Sequence, residues 1–112
     1  MSRDLPRGDV PTLILAVLAD GPAHGYAIAR AIEERSGNVL NLREGSLYPA
    51  LRVLEQQQLV VSLWEVQERG PARRMYTLTD AGREALSQRI DEWESYATAI
   101  AAVLGKRRIS YG

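Results

Sequence analysis

The sequence predicts an α+β fold that is mainly helical, and three observations carry that expectation. Apolar residues recur at helical spacing in several segments, most clearly at Leu47, Leu51 and Leu54. Two strand-like runs, Leu59 to Val66 and Arg73 to Leu78, flank a turn that contains Gly70-Pro71. Leu86, Ile90, Trp93, Ala97, Ile100 and Leu104 are spaced four, three, four, three and four, a heptad seam along one long helix. Short helices, a hairpin with a cationic tip and a long final helix together form the layout of a winged helix-turn-helix domain with a C-terminal dimerisation helix. The expected division is 1–79 for the winged domain and its N-terminal helix, and 80–112 for the dimerisation helix and tail.

Each element has a local reason. Pro11 opens the first helix, whose apolar face is Val10, Leu13, Ile14, Val17 and Leu18. Asp20-Gly21-Pro22 ends it with turn chemistry. The second helix is expected from about Ala23 to Ser36, with Ile28, Ala31 and Ile32 inward and Arg30, Glu33 and Glu34 outward. Gly37 is placed to be the left-handed residue after its end. Val39 to Leu42 reads as a short strand. Ser46 is the expected cap of the third helix, which would put Pro49 in a first turn where its missing amide has no partner to lose. That helix should finish near Gln57. The wing of two or three strands follows, and Thr79 caps the last helix with Asp80 near its positive end. From Asp80 to Leu104 that helix would be about 37 Å long. So long a stripe exceeds what a small domain can cover, so its far end calls for a second copy of the chain. The alternative is that it folds back onto the first helix of the same chain.

Composition narrows the function classes. With 112 residues the chain is one domain. Lys plus Arg equals Asp plus Glu, 14 each, so any affinity for nucleic acid must come from local clustering. Arg69, Arg73 and Arg74 supply such a cluster, with no acid between 69 and 74. Lys106-Arg107-Arg108 is a second basic run, read more plainly as a solvated tail. Cysteine is absent, so disulfides and thiolate metal sites are excluded. No apolar run reaches membrane-spanning length, and Met1 to Arg7 lacks the apolar core of a secretory leader. A cytoplasmic protein with no membrane partner is expected. His24 is the single histidine, and no catalytic triad, metal spacing or phosphate loop accompanies it. An enzyme is not expected, and neither is a cofactor.

The third helix fits a major groove, and its N-terminal residues would reach phosphates or base edges. Tyr48, Pro49 and Arg52 lie opposite its leucines, and Ser46 stands at its start. The wing residues Arg69, Gly70, Arg73 and Arg74 would reach phosphates or the minor groove. One of these arginines could instead pair with Glu65 or Glu68 across the hairpin. Trp93 is bulky for a tight seam, while Ala97 leaves room. Two copies of Trp93 across a two-fold axis could border a cleft for a small aromatic effector, or Trp93 could simply be a large core residue.

Three strings add a resemblance: His24-Gly25-Tyr26-Ala27-Ile28, Gly45-Ser46-Leu47-Tyr48-Pro49-Ala50-Leu51 and Tyr76-Thr77-Leu78-Thr79-Asp80-Ala81-Gly82. Across about residues 10–105 the chain resembles the PadR family of bacterial transcriptional regulators. The short C-terminus looks like the compact subgroup with a single final helix. The resemblance implies a homodimeric winged-helix repressor of double-stranded operator DNA, with Tyr26, Ser46, Tyr48 and Pro49 at or near the duplex. It also implies a first helix that packs into the dimer. Some members are similar to multidrug sensors that hold planar drugs near an interface tryptophan, the part Trp93 would take. Where the family often has glycine this chain has Gln58, which would cost about 1 kcal/mol in a left-handed turn. A winged-helix module that binds proteins instead of DNA is the competing reading, favoured by the neutral net charge.

Overall fold

Residues 3–4 and 9–105 are described by the computed structural model, and Lys106-Arg107-Arg108 lies outside them. In chain order the elements are β1 (Arg3–Asp4), α1 (Val10–Leu18), β2 (Ala23–His24), α2 (Gly25–Arg35), β3 (Leu40–Asn41), α3 (Glu44–Gln56), β4 (Val60–Glu65), β5 (Arg73–Leu78) and α4 (Asp80–Leu104). A three-stranded antiparallel sheet runs β2-β5-β4, and β1 pairs in parallel with β3. The mixed, mainly helical winged architecture is therefore as the sequence predicts. No helix among the described residues is long and apolar enough to cross a membrane.

The apolar stripes converge on α1, which is packed by α2, α3 and α4. Ile14, Leu15 and Leu18 of α1 meet Ile28 and Ile32 of α2, and Leu47, Leu51 and Leu54 of α3. Val60, Tyr76 and Leu78 close the core from the sheet. Fully burying a side chain of this kind stabilises by about 1.5–3 kcal/mol, so this cluster dominates folding.

Three helix starts depart from expectation. Helix α2 begins at Gly25, because Ala23 and His24 are extended and pair with Tyr76 and Met75 of β5. His24 is its cap: Nδ1 accepts from the Ala27 amide at 3.4 Å. Helix α3 begins at Glu44, with Arg43 as its extended N-cap residue. The amides of Ser46 and Leu47 donate to the Arg43 carbonyl at 3.0 and 2.9 Å. Ser46 is therefore inside the first turn and caps nothing. Pro49 is in the helix interior rather than the first turn, and lacks the amide that would bond to the Gly45 carbonyl. Both residues are exposed, so water can serve that carbonyl. Helix α1 starts one residue early, at Val10.

Other local expectations hold. Gly37 has φ +64°, and the Gly37 and Asn38 amides close onto the Glu34 and Glu33 carbonyls in a Schellman end. Gln58 has φ +62°, with the same pattern onto Glu55 and Leu54. The strained left-handed glutamine is thus present. Thr79 caps α4, its Oγ1 accepting from the Gly82 amide at 3.0 Å. The same hydroxyl donates toward the Gln58 and Leu59 carbonyls, which ties α4 to the end of α3.

One residue of the heptad seam is taken by the chain's own core. Leu86 is only 8% exposed and packs with the α1 cluster. The open part of the seam begins at Ile90, 41% exposed, and continues through Trp93, Ile100 and Leu104. The first turns of α4 do lean on α1, as the folded-back alternative required, but among the described residues Ile90, Trp93, Ile100 and Leu104 stay exposed.

Candidate nucleic-acid interface

Helix α3 presents one buried and one open face. With Leu47, Leu51 and Leu54 inward, Tyr48, Pro49 and Arg52 are exposed, and Ser46 lies on the far flank. The Tyr48 ring is 41% exposed. It leans on Gly25 at the start of α2, where a β-carbon would sit 2.7 Å from the Tyr48 hydroxyl. The glycine of the His-Gly-Tyr string therefore makes room for the tyrosine of the Gly-Ser-Leu-Tyr-Pro string.

An open groove of about 590 Å³ runs between α2, α3 and the wing. Tyr26, Tyr48, Arg52, Arg73 and Arg74 all line it, with His24, Gly25, Glu55, Trp64, Ala72 and Tyr76. Ser46, Pro49, Arg69 and Gly70 are exposed but do not line it. Arg69 and Gly70 form the wing tip, where Gly70 has φ +86°. The Gln67 side chain donates to the Pro71 carbonyl and closes that turn.

The cations are not equally free. Arg73 Nη2 lies 3.6 Å from Glu65 Oε1, the cross-hairpin pairing raised by the sequence. Arg74 Nε donates to Ser62 Oγ at 2.7 Å, and Ser62 donates to Glu55 Oε2 at 2.6 Å. Arg74 Nη2 is 3.6 Å from that same carboxylate oxygen, and its guanidinium carbon is 5.4 Å from the Trp64 ring centroid. Arg52 and Arg69 make no ion pair among the described residues. Burial pushes the Tyr76 phenol above its ordinary range, opposed by the Arg74 charge, so it stays protonated near neutrality.

On α2, Tyr26 is exposed and carries Arg30, whose Nη1 donates to the Tyr26 hydroxyl at 3.1 Å. Arg30 also pairs with Glu34 at 3.0 Å. Sequence reasoning placed Arg30 only on an outward face. The four-residue spacing from Tyr26 was the signal that could have joined them. Trp64 was also missed, because its partner Arg74 is opposite it only through the strand register.

A second open groove, about 980 Å³, lies between α1 and α4. Pro11, Leu13, Ala85, Arg89, Trp93 and Tyr96 are among its lining residues. The Trp93 and Tyr96 ring centroids are 5.9 Å apart. Ala97 does not line it. Tyr96, three residues from Trp93 on the same helix, lines it beside Trp93.

The model of the transcriptional regulator PadR-like family matches residues 14–88. The chain belongs to that family. PadR-like proteins are transcriptional regulators and not enzymes. The transcriptional regulator Rv3488 of Mycobacterium tuberculosis is 40% identical over 86 residues, 77% of this chain and 77% of its own length. The negative transcriptional regulator PadR of Bacillus subtilis is 30% identical over 73 residues, 65% of this chain and 40% of its own. Among the relatives it matches, this chain spans from 21% to 83% of the partner's length. A PadR family transcription regulator of Clostridium difficile has a solved structure with TM-score 0.77 at 30% identity, covering 88% of this chain and 100% of that one. The matched residues 14–88 span the winged domain and the start of α4; they include every lining residue of the first groove, but only Leu40, Ala85 and Gln88 of the second.

Proposed function

We propose that this PadR-like chain is a sequence-specific DNA-binding repressor that works in the cytoplasm as a homodimer. The carrying observation is the open Tyr48–Arg52 face of α3, set beside Tyr26 and the arginines of the wing. A major groove accepts a helix with such a face, and Arg52, which makes no ion pair among the described residues, is available to a phosphate. Repression is taken from the Bacillus subtilis relative, a negative transcriptional regulator. Residues 1–79 would read the duplex and α4 would join the two copies. Ile90, Trp93, Ala97, Ile100 and Leu104 form the joining surface, with Leu86 behind it in the core. The two recognition helices would then meet successive major grooves of an inverted repeat.

Selection of bound DNA from a random pool tests the reading directly. An inverted repeat with half-site centres about 34 Å apart is expected. Failure to enrich any sequence would favour a protein-binding winged helix. Tyr48→Ala should weaken operator binding about tenfold, roughly 1.4 kcal/mol, without lowering the melting temperature. Arg52→Ala and Arg69→Ala should each flatten the log–log salt dependence by about 0.9. Titrations with unchanged slopes would remove these two arginines from the phosphate contacts.

An effector is also proposed, a small planar aromatic molecule in the groove beside Trp93 and Tyr96. It would act only by binding one arrangement of the dimer better than another. Trp93 is 57% exposed, so stacking of a planar dye should quench its emission. Trp64 emits too, which makes Trp93→Phe the required control. A dye response that survives this substitution would place the binding elsewhere.

A further inference from the structure

Arg74 is a wing residue held from several sides. The Ser62 hydroxyl, the Glu55 carboxylate and the Trp64 ring all engage it. These partners come from α3 and from β4, while Arg74 itself is on β5. One side chain therefore couples the recognition helix to both main wing strands. Its Nη1 makes no hydrogen bond with a described residue, so donors remain for a phosphate. The pair is half-exposed, 45% for Arg74 and 34% for Glu55. Ion pairs of that exposure add little to stability. What the pair does change is charge and freedom of movement: the carboxylate cancels the cation, and the short Ser62 bonds fix where it points.

We propose that Glu55 and Ser62 are positioning residues, holding Arg74 as a charge-cancelled brace between the recognition helix and the wing. The brace favours the correct operator over random DNA and withholds one cation from bulk attraction to any duplex. This rests on the DNA-binding reading above. Arg52, one turn before Glu55 on the same helix, has no ion pair among the described residues and supplies the attraction that the brace does not. A free arginine at position 74 would grip every phosphate backbone alike, because phosphate contacts carry no sequence information. Fixing it makes its contact depend on how the rest of the surface fits.

The test is the salt dependence of binding to the selected operator and to a random duplex. It uses the full chain and the variants Glu55→Gln, Ser62→Ala and Glu55→Gln/Arg74→Gln. Glu55→Gln frees one positive charge, so the slope of log affinity against log salt should steepen by about 0.9 on both duplexes. Random-duplex affinity should rise several-fold more than operator affinity. Adding Arg74→Gln should return the slope to the wild-type value. Ser62→Ala changes no charge, so it should lower the operator preference with the slope unaltered. A wild-type slope in Glu55→Gln, even with a lower melting temperature, overturns the brace. So does an unchanged operator preference in Ser62→Ala. If the wild type binds neither duplex at any salt, the DNA-binding reading itself falls.

Discussion

Ile90→Asp is expected to convert the protein to a folded monomer and to cost about 10²–10⁴-fold in operator affinity. The position is chosen by burial. Leu86, one turn earlier, is in the chain's own core, and a charge there would unfold the domain. Ile90 is outside that cluster and 41% exposed, so aspartate is tolerated by the single chain. In the proposed dimer it would face the partner's seam, where an unpaired buried charge is strongly destabilising. Loss of the second half-site contact removes the effective concentration that links the two, which sets the size of the affinity loss. Sedimentation and circular dichroism give the answer together. An intact dimer would refute the seam, and lost helix signal would mean that Ile90 belongs to the fold.

Gly82→Ala is expected to destabilise the fold by about 2–3 kcal/mol. Alanine normally favours a helix over glycine by about 1 kcal/mol, so the ordinary rule points the other way. Here a β-carbon would overlap the Leu59 carbonyl oxygen and lie 2.5 Å from Leu78 Cδ1. The obstacle is backbone, which cannot swing aside. The same carbonyl accepts from the Thr79 amide at 3.1 Å, so relief would also disturb the cap of α4. A melting temperature lower by on the order of 10 °C should result. Gly45→Ala is the control, since nothing lies within 4 Å of its β-carbon position. It should be neutral or slightly stabilising. If Gly82→Ala melts at or above the wild type, the close approach is not a constraint on the fold.

The features legible in the sequence are those set by periodicity or by one residue's backbone preference. Leu47, Leu51 and Leu54 are buried as their spacing requires, and β5 has the expected bounds. Gly37 is left-handed where the helix end required it, and of the two outcomes open at Gln58, a different helix end or a strained turn, the strained turn is the one present. Thr79 caps α4 because its backbone is extended there, at φ −86° and ψ 171°. Ser46 had equally suitable chemistry and does not cap, because the chain turns helical two residues before it. Cap identity depends on where the extended residue falls, and here that is Arg43. The two-residue strand β2 is too short to leave a period, and only its partner β5 defines it. The candidate site shows the same division. Which residues point outward on α3 could be read from spacing. The pairing of Arg74 with Glu55, Ser62 and Trp64 arises from register and from the packing of α3 on β4, which no local string encodes.

The grip of the core on the start of α4 has a mechanical consequence. Gly82 and Leu86 fasten the first turns to the body of the protein, while the part beyond Ile90 projects away from it. The helix is then a stiff lever, about 37 Å from end to end. Tilting such a lever by only 5° displaces one tip by about 3 Å, close to the rise between neighbouring base pairs along one strand. A molecule wedged beside Trp93 need not rearrange the reading surface at all. In the proposed dimer, a few degrees of rotation there would shift the tyrosines relative to their target.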